Sequence, residues 1–259
     1  MNDGEVAVVA FNRPKKFNSM GANNFYEMRE TMEYLGSLDS KVRAIVLTGN
    51  GKHFCAGLDL KAAAQLSHMQ TSDDPDQDPA RASFKFATFV KSLQDSVSSV
   101  EHVRVPVIAA LHGYVIGAGV DISSTCDIRF AAKDTKLCIK EVDVGLAADI
   151  GTIQRFQKAV GNDSWTRELC YTSRVFGADE ALENGFLSKV CETQEECVAE
   201  AIKLAQTIAS KSPVAVTTTK SSLNYSRDHS VQDGLEHIAL LNSVMLQTQD
   251  MAKAGMANF

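Results

Sequence analysis

No Cys-x-x-Cys pair occurs in this chain, and its six cysteines (Cys55, Cys126, Cys138, Cys170, Cys191 and Cys197) are scattered along it. None of the six histidines falls near them at a metal-ligand spacing, so no zinc or dithiol redox pattern is present. Free thiols in a reducing compartment are expected, with no metal and no redox cofactor. No stretch of about 18 consecutive apolar residues exists, so no membrane span is expected. The opening Met-Asn-Asp-Gly-Glu has neither a basic region nor an apolar region behind it, so no secretory leader is expected. A repeat of about 20–50 residues is also lacking, which excludes solenoids. Positive charge is not in excess: the formal net charge is −6. Nucleic acid binding leans on Lys and Arg, so nucleic acid is not an expected partner.

What is present is the balance of a globular protein. The 259 residues are 44% hydrophobic and 22% charged, enough for one large domain or two small ones with a sizeable core. Buried strands are expected at 5–11, 44–48 and 107–111, with shorter ones at 126–131, 136–140 and 187–190. Phe25, Met28, Met32 and Leu35 stand at helical spacing within 19–38, as do Phe86, Phe89, Leu93, Val97 and Val100 in a long helix ending before Pro106. The segment 68–79, with Asp73, Asp74, Asp76 and Asp78, reads as a solvated loop. From 152 onward the pattern is helical, at 152–160, 163–172, 178–184, 194–210, 212–225 and 231–251. Strands alternating with helices and then helices alone predict an α/β fold with a helical C-terminal region.

The chemistry concentrates in residues 112–151. Gly117-Ala118-Gly119 follows a buried strand, and 120–125 can open a helix, whose free N–H groups suit a developing oxyanion. A plain tight turn is the alternative. The turn is not a dinucleotide fingerprint, because the third glycine would fall at Ile122. Ala56-Gly57-Leu58 is a second turn after a strand, and two such turns can aim two N–H groups at one carbonyl oxygen. Asp121 stands in an apolar turn, unusual company for a carboxylate. Asp149 has no polar neighbour in Leu146-Ala147-Ala148-Asp149-Ile150 and reads equally as a helix cap or as a catalytic acid. Glu141 and Asp143, beside Lys140, read as loop acids on spacing alone.

Taken together, these segments resemble the enoyl-CoA hydratase/isomerase (crotonase) superfamily over essentially the whole chain. The resemblance is carried by Asn-Arg-Pro-Lys-Lys-Phe-Asn-Ser-Met at 12–20, Gly-Lys-His-Phe-Cys-Ala-Gly-Leu-Asp-Leu at 51–60, and His-Gly-Tyr-Val-Ile-Gly-Ala-Gly-Val-Asp at 112–121. Within the superfamily, Lys-Glu-Val-Asp-Val-Gly-Leu-Ala-Ala-Asp-Ile-Gly-Thr at 140–152 is similar to the branch of Δ3,5-Δ2,4-dienoyl-CoA isomerases. So are Tyr-Ser-Arg-Asp-His-Ser at 225–230 and Met-Leu-Gln-Thr-Gln-Asp at 245–250.

The resemblance implies a crotonase spiral of ββα units over 1–195, and a helical region over 196–259 that packs on the core and on neighbouring subunits of a homotrimer or homohexamer. It places the acids at Asp121, Glu141 and Asp149, twenty and eight residues apart, and the oxyanion N–H groups at Leu58 and Ala118. Ala118 departs from the usual glycine. An acyl-CoA thioester is the implied substrate, coenzyme A being part of it and not a cofactor. Its contacts fall on Ala56, Gly57, Leu58, Asp59, Leu60 and Ala118, with Lys61 placed to reach the phosphates. The implied reaction belongs to unsaturated fatty acid β-oxidation. Glu141 takes the C2 proton of a 3,5-dienoyl thioester, Asp149 protonates C6, and Asp121 tunes both. Three carboxylates in one apolar pocket should not all ionise near neutral pH, so a raised pKa is expected. The rivals are an enoyl-CoA hydratase, a Δ3-Δ2-enoyl-CoA isomerase, and a non-catalytic RNA-binding relative. The chain ends Met-Ala-Asn-Phe without Ser-Lys-Leu and shows no transit peptide, which fits a bacterial cytoplasm or a trimmed mitochondrial or peroxisomal protein.

Overall fold

The computed structural model describes residues 4–59 and 78–251. Its centre is a five-stranded parallel sheet: β1 (Val6–Phe11), β2 (Ala44–Gly49), β3 (Val107–Leu111), β5 (Ile128–Ala132) and β8 (Lys189–Cys191), in the order β1-β2-β3-β5-β8. A parallel sheet covered on both faces needs strands apolar on both sides. β2 and β3 meet that need, being buried at every position. Ile45, Leu47, Val107, Ala109 and Leu111 join one apolar cluster, while Ala44, Val46, Ile108 and Ala110 join the other. That period of two is the pleat itself, and each fully buried Leu or Ile contributes roughly 1.5–3 kcal/mol.

One face is covered by α1 (Ala22–Leu35) and α2 (Pro79–His102), through Phe25, Met28, Met32, Leu93, Val97 and Val100. The aspartate-rich segment lies outside the described residues up to 77. Its end is a helix start and not a loop: Asp78 Oδ1 accepts the Ala80 N–H at 2.9 Å, and Pro79 takes the first turn. The other face is covered by α7 (Gln194–Ala209), whose Ala201, Ala205 and Ala209 recur every four residues and let the helix lie close.

A smaller sheet rises from the ends of the large one. It comprises β4 (Tyr114–Ile116), β6 (Lys136–Cys138) and β7 (Phe176–Gly177), with β4 and β6 parallel and β6 and β7 antiparallel. Successive units β3–β4 and β5–β6 each give one strand to each sheet, which is the ββα repetition that the resemblance implies. The sequence reading missed β4 and β7, since two or three residues are too few to show a period. Between them pack α3 (Ala118–Thr125), α4 (Thr152–Val160), α5 (Asp163–Thr172) and α6 (Ala178–Glu183).

The last helices, α8 (Pro213–Asp228) and α9 (Val231–Met245), stand outside the sheet layers. α8 is tied in by charge. Buried Lys220 donates to the Val105 carbonyl at 3.0 Å and to Asp127 at 2.8 Å, and Arg227 pairs with buried Glu101 on α2. Glu101 also pairs with Arg155 of α4 at 2.8 Å. Among the described residues no helix is long and apolar enough to cross a membrane.

Candidate active site

Two turns touch at the junction of the sheets. In the first, residues 54–59, the chain is held on both sides. Phe54 and Cys55 donate their N–H groups to the carbonyls of His112 and Tyr114, Ala56 donates to Phe17, and Asp59 donates to Met20. Leu58 N–H has no acceptor among the described residues. Buried Asn18 fixes the approach: its amide donates to the carbonyls of Asn50 at 3.0 Å and His53 at 2.7 Å. Its Oδ1 accepts the Arg13 N–H at 2.7 Å. The Asp59 carboxylate is taken by Arg13 at 2.8 Å and Lys16 at 3.3 Å.

The second turn joins β4 to α3. Ile116 N–H donates to the Cys55 carbonyl and Gly117 N–H to that of Cys138. The next N–H, on Ala118, begins α3 and has no acceptor among the described residues, as expected for a first helical residue. Gly117 has φ +51° and ψ −114°, a conformation that only glycine adopts cheaply. A Cβ on Gly57 would lie 3.1 Å from the Ile116 carbonyl oxygen, and one on Gly117 would lie 3.3 Å from Glu141 Oε1. Glycine at both positions therefore lets the turns meet and brings Glu141 over the second. The Ala118 methyl is buried within the main apolar cluster, so the departure from glycine is absorbed by packing.

Three carboxylates lie near enough to act on one another: Glu141 and Asp149 both raise Asp121, and Asp149 raises Glu141. Asp121, one turn into α3, is buried. Its Oδ1 accepts hydrogen bonds at 2.7 Å from both the N–H and the hydroxyl of Thr152, while its buried Oδ2 has no partner. Burial, and then the charge of Glu141, push its pKa up to about 7. The two Thr152 bonds pull the other way, and Asp149 adds a smaller push upward. Glu141 opens a short 3-10 turn, Glu141–Val144, that periodicity did not reveal. Its Oε2 is buried without a partner, unlike a solvated loop acid. Burial raises its pKa, backbone N–H groups of Glu141 and Lys140 draw it down, and Asp149 raises it again. Asp143 is the exposed acid of the turn and pairs with Lys140.

Asp149 stands at the rim, and burial of its carboxyl raises its pKa. It does not cap a helix. The N-cap of α4 is Gly151, no side chain of its own caps it, and the Thr152 N–H is taken by Asp121 instead. The Asp149 carbonyl accepts from Gln94 of α2 at 2.7 Å, which moors the loop. Among the described residues no cation pairs with any of the three acids. Thr152, Gln94 and Asn18 were not singled out in the sequence, because their partners lie 31, 55 and 35 residues away. Leu60 and Lys61 lie outside the described residues.

Two free N–H groups in touching turns can hold a developing oxyanion, and carboxylates of raised pKa beside them can exchange protons near neutral pH. The thiols are not competitors. All six cysteines are free, and burial pushes Cys55, beside the first turn, up to about 12. No cluster of metal-ligating side chains occurs among the described residues.

Comparison with known proteins bears on the family and the fold. The family model described as enoyl-CoA hydratase/isomerase matches residues 2–259. The mitochondrial Δ3,5-Δ2,4-dienoyl-CoA isomerase of Homo sapiens is 45% identical over 249 residues, covering 96% of this chain and 74% of that protein. The peroxisomal Δ3,5-Δ2,4-dienoyl-CoA isomerase of Arabidopsis thaliana is 40% identical over 254 residues, covering 97% and 89%. Among solved structures, an enoyl-CoA hydratase from Bacillus anthracis superposes with a TM-score of 0.85 at 27% identity, over 98% of this chain and 92% of its own. The fold, the paired turns and these matches agree: the chain belongs to the enoyl-CoA hydratase/isomerase family.

Proposed function

We propose that this protein is a Δ3,5-Δ2,4-dienoyl-CoA isomerase acting in the β-oxidation of unsaturated fatty acids. The observation that carries the reading is the third carboxylate. Asp149 lies near enough to Asp121 and Glu141 to raise both, and no cation neutralises any of the three among the described residues, which supports a three-acid site. Two acids are enough to hold one water for hydration. A 1,5 proton shift along a conjugated chain needs a base at one end and an acid at the other.

In the reaction, Glu141 in its ionised form removes the proton from C2 of the 3,5-dienoyl thioester. The C–H electron pair enters the conjugated chain, and negative charge gathers on the thioester oxygen, held by the N–H groups of Leu58 and Ala118. Asp149 in its protonated form delivers a proton to C6, leaving the 2,4-diene. Glu141 thus gains the proton and Asp149 loses one, with no net change in the thioester's composition. Asp121 tunes the pair through its charge, being coupled to both Glu141 and Asp149. The raised pKa values of Glu141 and Asp149 suit one group to hold a proton while the other has given it up.

Ala56, Gly57, Leu58 and Asp59 of the first turn, with Ala118, contact the CoA ester in this reading; Leu60 and Lys61, assigned to the same contact by resemblance, lie outside the described residues. The reaction calls for no cofactor. The exposed apolar residues Leu223, Val231, Leu235, Leu240 and Val244 on α8 and α9 support assembly through these helices into a trimer or hexamer. Relatives named mitochondrial and peroxisomal support an organellar matrix if the source is eukaryotic.

The test is an absorbance assay on 3,5-dienoyl-CoA, with 2-enoyl-CoA and 3-enoyl-CoA as controls for hydration and single-bond isomerisation. Turnover of the dienoyl ester is expected to dominate. Asp149→Asn is expected to lose about 10²–10⁴-fold in kcat while binding the CoA ester normally. Near-normal turnover by that variant would sink the reading.

A further inference from the structure

The isomerase reading gives no part to Thr152, yet this residue holds Asp121. Thr152 is fully buried at the first position of α4. Its N–H and its hydroxyl both donate to the same oxygen, Asp121 Oδ1, at 2.7 Å each. Both lone pairs of that oxygen are then occupied, so a proton on the carboxyl must reside on Oδ2, the oxygen left buried without a partner. The elements packed on α3 bring few other titrating groups toward it. From α2 and α4 come Glu101 and Arg155, which pair with each other at 2.8 Å. β4 offers only Tyr114, at its exposed end. The first turn offers the Cys55 thiol, and the pocket offers Glu141 and Asp149.

We propose that Thr152 is a positioning residue that fixes the Asp121 carboxyl and sets the pH at which it gives up its proton, and through that charge the readiness of Glu141 to act as base. The kinetic part of this inference rests on the isomerase reading; the part concerning Asp121 itself does not. A hydroxyl donated to the charged form favours that form, so removing it makes Asp121 keep its proton to higher pH. An ionised Asp121 opposes both the ionisation of Glu141 and the build-up of dienolate charge, so activity falls as Asp121 ionises, and this, together with loss of the Asp149 proton, shapes the alkaline limb of the pH profile.

The experiment compares Thr152→Val and Thr152→Ser in the full chain. One arm measures kcat on 3,5-dienoyl-CoA across pH; the other follows the Asp121 carboxyl carbon by ¹³C NMR titration, which needs no turnover. In T152V both the alkaline limb and the NMR midpoint are expected to move up by about one pH unit. T152S, which keeps the hydroxyl, should stay close to the parent protein. An unmoved limb or midpoint in T152V overturns the proposal, as does a shift in T152S equal to that in T152V. Failure of the isomerase reading looks different: the parent protein would not turn over the dienoyl ester, and the NMR arm would still decide for or against Thr152. If T152V does not fold, Thr152→Ala carries the same comparison.

Discussion

Glu101 and Asp121 are both almost wholly inside the protein, at 4% and 1% exposure, yet their carboxyls are shifted in opposite directions. Burial pushes both up. At Glu101 the guanidinium of Arg155 at 2.8 Å, and that of Arg227, outweigh burial and hold the carboxyl below its ordinary range. At Asp121 the nearest charges are other carboxylates, so burial prevails. The difference teaches how this fold separates structure from chemistry. Where an acid joins elements, as Glu101 joins α2 to α4 and α8, the chain supplies cations. Where the proposed proton transfer takes place, it withholds them.

The largest effect on stability should therefore come from the paired acid. Glu101→Gln leaves Arg155 and Arg227 without their partner, and breaking a buried ion pair on one side costs about 3–5 kcal/mol. A urea denaturation series should show that loss near neutral pH. Because the folded pKa of Glu101 is lowered, its stabilising contribution is present above the ordinary carboxylate value of 4.5 and is lost as pH falls through the folded value. A loss under about 1 kcal/mol would mean that the two arginines are satisfied by solvent, and the contrast with Asp121 would rest on burial alone.

The contrast also shows what was legible in the sequence. The strands at 5–11, 44–48 and 107–111 and the helical stripes of α1 and α2 were, because their periods run over many residues. The short strands β4 and β7 and the 3-10 turn at Glu141 were not, since hydrogen bonds to distant residues define them. At the site, the glycine turns and the suspicion attached to Asp121 came from local composition. Spacing alone left Asp149 between cap and catalyst and took Glu141 for a solvated loop acid. The structure removes the cap by giving the Thr152 N–H to Asp121, and it buries Glu141 Oε2. Neither fact has a local signal, because burial depends on how α3, α4 and the second turn come together.

The unpaired acid predicts the opposite pH dependence. A folded pKa of about 7, raised from 3.8, means that the native state holds a proton which the unfolded chain has released. Stability is then full below the ordinary value and is lost as pH rises through about 7. Asp121→Asn cannot ionise, so the variant should be more stable than the parent at about pH 8, with the gap narrowing as pH falls through about 7 and closing only below the ordinary value of 3.8. Part of the slope remains in the variant, because Glu141 and Asp149 are shifted the same way. Denaturant midpoints across that range measure it, and parallel slopes for the two proteins would contradict the assignment of the raised pKa to Asp121.

The smallest effect comes from a pair that resembles the Glu101 cluster in everything except burial. Lys158 and Asp228 also join α4 to α8, but their side chains are 42% and 47% exposed. Water already solvates both charges, so the Coulomb gain is small and is offset by ordering two flexible side chains. Lys158→Ala should cost no more than about 0.5 kcal/mol, and the cost should vanish at about 1 M salt, where the screening length falls to about 3 Å. The Glu101→Gln loss should persist at that salt, because the pair it removes is shielded from solvent ions. If Lys158→Ala destabilises the protein as much as Glu101→Gln, then bridging α4 and α8 is what matters and burial is not. The opposite shifts of Glu101 and Asp121 would then have to be explained by the helices they join.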